Sequence, residues 1–354
     1  MKIVYVQSYP IYHDGYNLEE WVELENRDKW MPALTSVLGH NTELWCAGKK
    51  SSTYTYRWDY RTTFTIRVFK SDPKFGNSKR DQCKEMVNYA RSSNIDLYLL
   101  KGVDGAVGLQ LLKKHILPQN IPFVFIVGGE FQSPYNNKAY SILCETEHQR
   151  ERLKAEQPWY KNLFGKKSNS NSHILPKSVD TTLFSPDPDQ IKKWDVISMG
   201  RLIPYYKDYS ALESLSHTCN VAMIGDGSEA NSLKKKMPQI TWIGYVPNHK
   251  IPDYLVKAKC FFHTSLNDFL PRVIPEAAAC GLPVIAFQDA IKEDVLPAKI
   301  GLRIKKETVN QQILSLLKDE ESLRMMGDKA RIHAVKRWNK KSTLPILERL
   351  FPIK

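Results

Sequence analysis

The chain has 354 residues, 42% of them apolar, and its 51 lysines and arginines against 38 aspartates and glutamates give a net charge of +13. This length and apolar content exclude a disordered chain and predict two domains, each with a core of its own. The positive charge favours anionic partners such as nucleotides, anionic lipids or nucleic acid. Because no nucleic-acid-binding module accompanies the charge, we expect no nucleic acid partner.

The cysteine pattern and the hydropathy indicate the cellular compartment in which the protein is expected. The six cysteines lie far apart without Cys-x-x-Cys spacing, mostly inside apolar runs, where a thiol behaves as a small hydrophobic group. The opening apolar run, Ile3 to Val6, is too short for a signal peptide, and no stretch reaches the roughly 20 apolar residues of a membrane span. We therefore expect a cytoplasmic protein, and the basic charge leaves a peripheral membrane contact open.

The first half of the chain alternates short β-branched or aromatic runs with amphipathic stretches, a pattern typical of α/β proteins with parallel sheets. Strands are predicted at residues 2–6, 43–46, 64–69, 96–100, 123–127 and 140–144. Helices are predicted near residues 81–92, 106–115 and 147–157.

A Lys-, Ser-, Asn- and Pro-rich stretch between residues 161 and 190 predicts an exposed linker. A second alternating series follows, with strands predicted at residues 194–199, 220–224, 240–243, 260–264 and 283–287 and mostly helix over 307–350. We place the domain boundary near residue 187, between an N-terminal domain of residues 1–186 and a C-terminal domain of residues 187–338. Two doubly wound sheets that face one another would leave a ligand-binding cleft.

The segment from Ser265 to Phe287 is the most informative. A buried strand ends, polar residues turn the chain, and a helix of small residues runs to Gly281. The start of such a helix offers free backbone N–H groups to a pyrophosphate. Asp268 would stand at the mouth of this site, and Glu276 lies deeper, where a carboxylate accepts hydrogen bonds from hydroxyl groups. On these residues alone, an ordinary strand–turn–helix unit with two incidental acids is an equally good interpretation.

Two further segments follow predicted strands. Gly200 to Asp208 brings the cations Arg201 and Lys207 to a strand end, where they could neutralise a diphosphate or simply lie at the surface. The run Ile224 to Gly227 predicts a tight turn in which glycines allow a close backbone approach. It is not a dinucleotide fingerprint, because the third glycine is absent and the turn follows the second strand of its domain.

In chain order, these segments resemble the retaining enzymes of glycosyltransferase family 4. The family carries Glu-x7-Glu before a segment like Glu-Ala-Met-Ala-Cys-Gly-Leu-Pro-Val-Ile, and the spacing from Asp268 to Glu276 matches it. The resemblance covers about residues 175 to 350. Its other matches are Gly200-Arg201-Leu202, Ile224 to Gly227, Ile243 to Val246, the segment 175–186 and Arg337-Trp338-Asn339.

The resemblance implies a GT-B fold, with two Rossmann-like domains and a C-terminal helix, about residues 339–354, that crosses back to the first. It also implies metal-independent transfer, with retention, of a hexose-type sugar from a nucleoside diphosphate sugar, UDP or GDP, to a glycan, lipid-linked or other hydroxyl acceptor. No cofactor is expected. Asp268 stands where the family has Glu, and Lys207 lies one position late. These departures motivate the alternative of a catalytically weakened sugar-nucleotide-binding or assembly subunit.

The resemblance also assigns roles to individual residues. The catalytic candidates are Asp268, Arg201 and Lys207. The donor-binding candidates are Glu276, Gly200, Arg201, Lys207, Gly225, Gly244, Tyr245, Val246, Phe269, Leu270, Pro271 and Arg272. Tyr245 fits a buried anchor equally well. In the less similar N-terminal half, the acceptor-side candidates are His13, Gly15, Gly129 and Glu130. No His or Cys cluster has zinc spacing, so we predict no metal site.

Overall fold

The computed structural model describes residues 1–23, 27–74, 76–129, 131–155, 171–204 and 207–351. The chain divides into two compact units. The N-terminal unit comprises Met1–Leu175 with Thr343–Lys354, and the C-terminal unit comprises Pro176–Ser342.

Strands and helices alternate along the N-terminal unit. The strands are β1 (Lys2–Gln7), β2 (Asn41–Gly48), β3 (Ser52–Arg57), β4 (Thr63–Lys70), β5 (Leu97–Lys101), β6 (Phe123–Ile126), β7 (Ser141–Cys144) and β8 (Asn171–Ile174). The helices are α1 (Leu18–Glu23), α2 (Arg27–Val37), α3 (Lys84–Arg91), α4 (Ala106–Leu111), which a π-helical segment Leu112–Ile116 extends, and α5 (Glu147–Ala155).

Among the described residues, these strands form one sheet in the order β3-β4-β2-β1-β5-β6-β7-β8. Neighbouring strands are parallel except β3, which pairs antiparallel with β4 at the edge. The central strand β1 is apolar along most of its length, with Ile3 and Val4 fully buried, because helices cover both faces of a parallel sheet. The strand order reverses between β1 and β5, so their carboxyl ends are a place where a ligand can bind.

The C-terminal unit repeats this plan with a smaller sheet. Its strands are β9 (Trp194–Met199), β10 (Val221–Ile224), β11 (Thr241–Gly244), β12 (Ala258–His263), β13 (Val284–Phe287) and β14 (Gly301–Ile304). Its helices are α6 (Ser210–Ser216), α7 (Ala230–Lys236), α8 (Pro252–Leu255), α9 (Val273–Ala279), α10 (Val309–Lys318) and α11 (Glu320–His333), which a π-helical segment Ala334–Trp338 extends.

The sheet of the C-terminal unit is parallel throughout the described residues, in the order β11-β10-β9-β12-β13-β14. This is the doubly wound order in which the first strand lies at the centre and the order reverses beside it. The reversal falls between β9 and β12. Residues at the carboxyl ends of these two strands are therefore the best placed to bind a ligand.

The last helix, α12 (Leu344–Leu350), belongs to the N-terminal unit. Leu347, Leu350 and Phe351 are at most 3% exposed and join the same apolar core as Ile3. A C-terminal segment that completes the first domain is what the sequence resemblance implies, and the structure confirms it.

The α/β class and the two alternating series are confirmed, but several details differ from the sequence predictions. The helices α1 and α2 and the strands β3 and β14 were not predicted, and residues 171–174, which we assigned to a linker, form β8. The units divide between Leu175 and Pro176 and not at residue 187. The reason is that Val179 and Phe184 are each 2% exposed in the core of the C-terminal unit.

The predicted linker is fastened to the C-terminal unit by polar contacts as well. The guanidinium of Arg331 on α11 donates to three backbone carbonyls: Nη1 to those of Phe184 and Ala279, both at 2.8 Å, and Nη2 to that of Thr181 at 3.0 Å. Near the end of the unit, Lys340 Nζ donates to Asp180 Oδ2 at 2.6 Å. The guanidinium group of Arg331 thus links α11, on which it lies, to the predicted linker and to the end of α9.

Replacing Arg331 by Lys tests this joint. Lysine keeps the charge but has no planar fork, so carbonyls are left without donors. Losing such charge-assisted bonds costs about 2 kcal/mol, which we expect to lower the unfolding midpoint by about 4 to 8 °C. Differential scanning calorimetry of the full chain measures the shift.

Arg324→Lys is the matched control, because the side chain of Arg324 on the same helix is 72% exposed and pairs with the exposed Asp328 at 3.9 Å. Exposed pairs contribute at most about 1 kcal/mol. Equal midpoints for the two variants would contradict the role of Arg331.

Candidate functional site

The carboxyl ends of β9 and β12 are held together by the chain that leaves β9. Beyond the end of β9, Lys207 pairs with Ser265 in an isolated antiparallel bridge. The amide of Asp208 then donates to the carbonyl of Thr264 at 2.8 Å. Lys207 therefore lies beside the start of the loop that carries Asp268.

Lys207 is half-buried at this strand end. Its Nζ donates to the carbonyl of Met199 at 3.3 Å. Burial lowers the pKa of Lys207 to about 8, and the nearby charge of Asp268 opposes this shift. Gly200 leaves the space for the ammonium group: its φ is +147°, and a Cβ there would lie 2.6 Å from Lys207 Nζ. Lys207 is thus a cation near neutral pH that can lose its proton within an ordinary pH range.

The loops after β9, β10 and β11 lie in direct contact. Gly225 donates its amide to the carbonyl of Gly244 at 2.8 Å, and Gly200 donates to that of Ile224 at 3.0 Å. A Cβ on Gly225 would lie only 2.0 Å from the carbonyl oxygen of Gly200, which no side chain permits. The structure thus brings together three glycines that the sequence placed in separate motifs.

Glu276 is a buried carboxyl group in the first turn of α9, 3% exposed. Asn248 Nδ2 donates to its Oε1 at 3.1 Å. Burial raises the pKa of Glu276 to about 7, while the charge of Arg272 and the bond from Asn248 lower it. The remaining acceptor capacity of this group suits the hydroxyl groups of a ligand.

The other predicted donor-side residues line the same edge of the sheet to different degrees. Tyr245 is 76% exposed, so the interpretation as a buried anchor is wrong, and the neighbouring Val246 is 8% exposed. Leu270 and Pro271 are buried, Phe269 is half-buried, and the side chains of Arg201 and Arg272 are exposed. Exposed cations at this edge are available to an anionic ligand.

Lys177 supports the loop that carries Asp268. Its Nζ donates to the carbonyl of Leu270 at 2.7 Å. The long side chain of Lys177 thus reaches from the predicted linker to this loop.

Sequence reasoning missed His263, the last residue of β12. Its side chain is 2% exposed, and neither ring nitrogen has a hydrogen-bond partner among the residues that the structure describes. Burial and the charge of Lys207 hold the pKa of His263 well below its usual range, so the imidazole is neutral. Ser198 Oγ and Thr264 Oγ1 are likewise buried without partners in the described part of the chain. The one available signal was the position of His263 at the end of a predicted strand.

The acceptor-side candidates lie in the N-terminal unit. A cavity of about 290 Å³ opens at the carboxyl ends of β1 and β5, and His13 and Gly129 line it. His13 Nδ1 lies 2.6 Å from Ser78 Oγ. Gly15 does not line this cavity. It ends the short 3-10 helix Ile11–Asp14, where its φ is +86°. Glu130 lies outside the described residues.

The C-terminal unit is similar to a known protein family. Residues 182–333, which include Arg201, Lys207, Asp268 and Glu276, match the model of the glycosyl transferases group 1. The match covers less than half of the chain. The matching stretch contains the whole edge of the sheet described above from Gly200 to Glu276.

One named relative matches part of the chain. The putative teichuronic acid biosynthesis glycosyltransferase TuaC of Bacillus subtilis (strain 168) is 35% identical over 134 residues, which are 34% of this chain and 34% of TuaC. The match thus spans about a third of the length of this relative.

Solved structures extend the similarity to both units. Sucrose-phosphate synthase from Thermosynechococcus elongatus superposes with a TM-score of 0.73 at 13% identity, over 99% of this chain and 98% of that one. HepE of Anabaena in complex with UDP gives 0.69 at 14% identity, over 99% of each chain. These similarities concern the fold, and with the group 1 region they confirm the predicted GT-B fold.

Two features of the described residues bear on the predicted membrane and metal partners. In the described part of the chain, no helix combines the length and the apolar character needed to cross a bilayer. Within the same residues, no three His, Cys, Asp or Glu side chains are grouped as metal ligands would be. That the chain works without a metal or a cofactor stays a prediction.

Replacing Glu276 by Gln tests the burial of the carboxyl group. Because the pKa of Glu276 is raised from 4.5 to about 7, the folded state binds this proton more tightly than the unfolded state. The stability that the protonated group contributes is fully present below about pH 4.5 and is lost as pH rises through about 7. We expect E276Q to differ little from the native chain near pH 5 and to be about 3 kcal/mol more stable at pH 8.

Unfolding midpoints of both chains between pH 5 and pH 8 measure this difference. Glu348→Gln, at an exposed position of α12, controls for the loss of one negative charge. A difference between E276Q and the native chain that stays constant with pH would contradict the prediction.

Proposed function

We propose that this chain is a retaining glycosyltransferase that moves a hexose-type sugar from a nucleoside diphosphate sugar, with UDP or GDP as the nucleotide, to a hydroxyl acceptor. One observation carries the proposal: the bridge between Lys207 and Ser265 sets a half-buried cation beside the loop of Asp268. The buried Glu276 lies on the helix that follows this loop. The group 1 family of residues 182–333 and the nucleotide in the HepE structure support the same reading.

In this proposal the C-terminal unit binds the donor. Arg201 and Lys207 pair with the diphosphate, and Glu276 accepts hydrogen bonds from the ribose hydroxyls. Gly225 and Gly244 allow the backbone to approach the nucleotide, with Tyr245 and Val246 near the base. Asp268, with the loop of Phe269, Leu270, Pro271 and Arg272, faces the donor sugar.

Catalysis then consists of positioning and charge stabilisation. The bond from the anomeric carbon to the diphosphate breaks, a bond to the acceptor oxygen forms on the same face, and the acceptor hydroxyl passes its proton to the oxygen of the departing diphosphate. Arg201 and Lys207 stabilise the charge that develops on the leaving diphosphate. No side chain of this chain needs to form a covalent intermediate.

A panel of nucleotides tests the donor site. We expect one of UDP, GDP or ADP, but not NAD, to raise the unfolding midpoint of the full chain. At a concentration of 100 Kd a ligand adds about 2.7 kcal/mol, which amounts to about 5 to 10 °C for a domain of this size. In Glu276→Ala this ligand-induced shift should disappear, whereas Glu348→Ala should keep it.

The outcomes separate the alternatives. A shift with NAD alone, or with none of the nucleotides, would overturn the proposal. A shift with one nucleoside diphosphate, without release of that nucleotide from its sugar conjugates, would favour the weakened or assembly subunit instead. Release of the nucleotide from a sugar conjugate supports the transferase.

Lys207 makes nucleotide binding depend on pH. Because the pKa of Lys207 is about 8, the ammonium that pairs with the diphosphate loses its proton as pH rises through 8. We expect the affinity for the nucleoside diphosphate to fall up to about tenfold between pH 7 and pH 9. Isothermal titration calorimetry at several pH values measures the affinity.

Two variants give this prediction its controls. Lys207→Arg keeps a cation at every pH in this range, so its profile should be flat. Lys234→Arg, at an exposed position of α7, should keep the native profile. A native affinity that is constant from pH 7 to pH 9 would remove Lys207 from the diphosphate site.

A further inference from the structure

The cavity of the N-terminal unit has the size and position of a small-ligand site. Its volume is about 290 Å³, near the lower end for small-molecule pockets. It lies where the strand order of the N-terminal sheet reverses, between β1 and β5. A single sugar unit is small enough to enter a cavity of this volume.

The charges in the cavity are arranged in pairs. Among the described residues that line it, Asp28, Asp104 and Glu145 are carboxylates, and Lys79 and Lys101 are cations. Lys101 Nζ donates to Asp28 Oδ1, and Lys79 Nζ lies 3.8 Å from Asp104 Oδ2. Each lysine thus faces a carboxylate.

Aromatic rings form part of the same wall. The rings of Tyr9 and His13 stack with centroids 4.8 Å apart and planes 13° from parallel, and Trp21 also lines the cavity. The hydroxyl group of Tyr9 donates to Asp104. Flat apolar faces beside acceptor oxygens match a sugar, which presents C–H groups on the faces of its ring and hydroxyl donors around the rim.

We propose that this cavity takes an uncharged sugar unit as the acceptor and excludes uronic acids and sugar phosphates. This inference rests on the proposed transferase function. The hydroxyl groups of a neutral sugar donate to the carboxylates without disturbing their lysine partners. A carboxylate or phosphate on the ligand would instead meet the carboxylates of Asp28 and Asp104 and would have to displace one of them from its lysine. Specificity then comes from repulsion as well as attraction.

Matched acceptors test the proposal on the full chain. The p-nitrophenyl glucoside and glucuronide differ only in the oxidation state of C6, and the galactoside, mannoside and N-acetylglucosaminide extend the neutral set. With the nucleotide sugar whose nucleotide stabilises the chain as donor, we expect transfer to at least one neutral glycoside. For the glucuronide of the same configuration, kcat/KM should be lower by at least roughly tenfold.

A charge-removing variant tests the cavity itself. In Asp104→Asn the carboxylate beside Lys79 is lost, so the ratio of kcat/KM for the neutral glycoside over the glucuronide should fall by about tenfold. The donor KM and the donor-induced thermal shift should stay native, which shows that the variant is folded. Glu19→Gln, at an exposed position of α1, is the control and should keep the native ratio.

Each result decides between the two proposals. Transfer to the glucuronide in preference to every neutral glycoside overturns the acceptor inference, as does donor hydrolysis without transfer to any neutral glycoside. An unchanged ratio in D104N overturns the role of the cavity. If no nucleotide sugar is consumed at all, the proposed function fails, and with it the premise of this inference.

Discussion

The reversal of strand order between β9 and β12 is the constraint on which the site depends. Parallel strands whose connections leave to opposite sides cannot close the space at their carboxyl ends. In this chain the return of Lys207 to pair with Ser265 fills part of that space. The contact of Gly225 with Gly200 holds the neighbouring loops against it. The donor-side candidates lie together because the carboxyl edge of the C-terminal sheet is available for them.

The same edge is costly for folding. Burial raises the pKa of Glu276 to about 7 and lowers that of Lys207 to about 8, so each charged form is destabilised by the folded chain. His263 is buried nearby with both ring nitrogens lacking partners in the described residues. Groups kept in this state are typical of functional sites. A ligand with hydroxyl and diphosphate groups would supply the missing interactions and offset part of the cost.

The charged side chains at the two candidate sites are arranged differently. In the C-terminal unit, the cations of Arg201 and Arg272 are exposed and that of Lys207 is half-buried. In the N-terminal unit, the cavity pairs each of its lysines, Lys79 and Lys101, with an aspartate. An excess of cations suits a diphosphate, and paired charges suit a neutral polyhydroxyl compound. The overall charge of +13 therefore describes neither site.

The amino-acid sequence by itself determined the α/β class, most strands of both sheets and the motifs around Arg201, Asp268 and Glu276, because these depend on local hydrophobic period and on spacing along the chain. The edge strands β3 and β14 were not predicted, because their pairing depends on residues that are distant in the sequence. Only the tertiary structure decided that Tyr245 is exposed, that residues 176–186 belong to the C-terminal unit, and that His263 and the charge pairs of the cavity exist. Burial and charge pairing arise between residues far apart in the chain, so no local pattern records them.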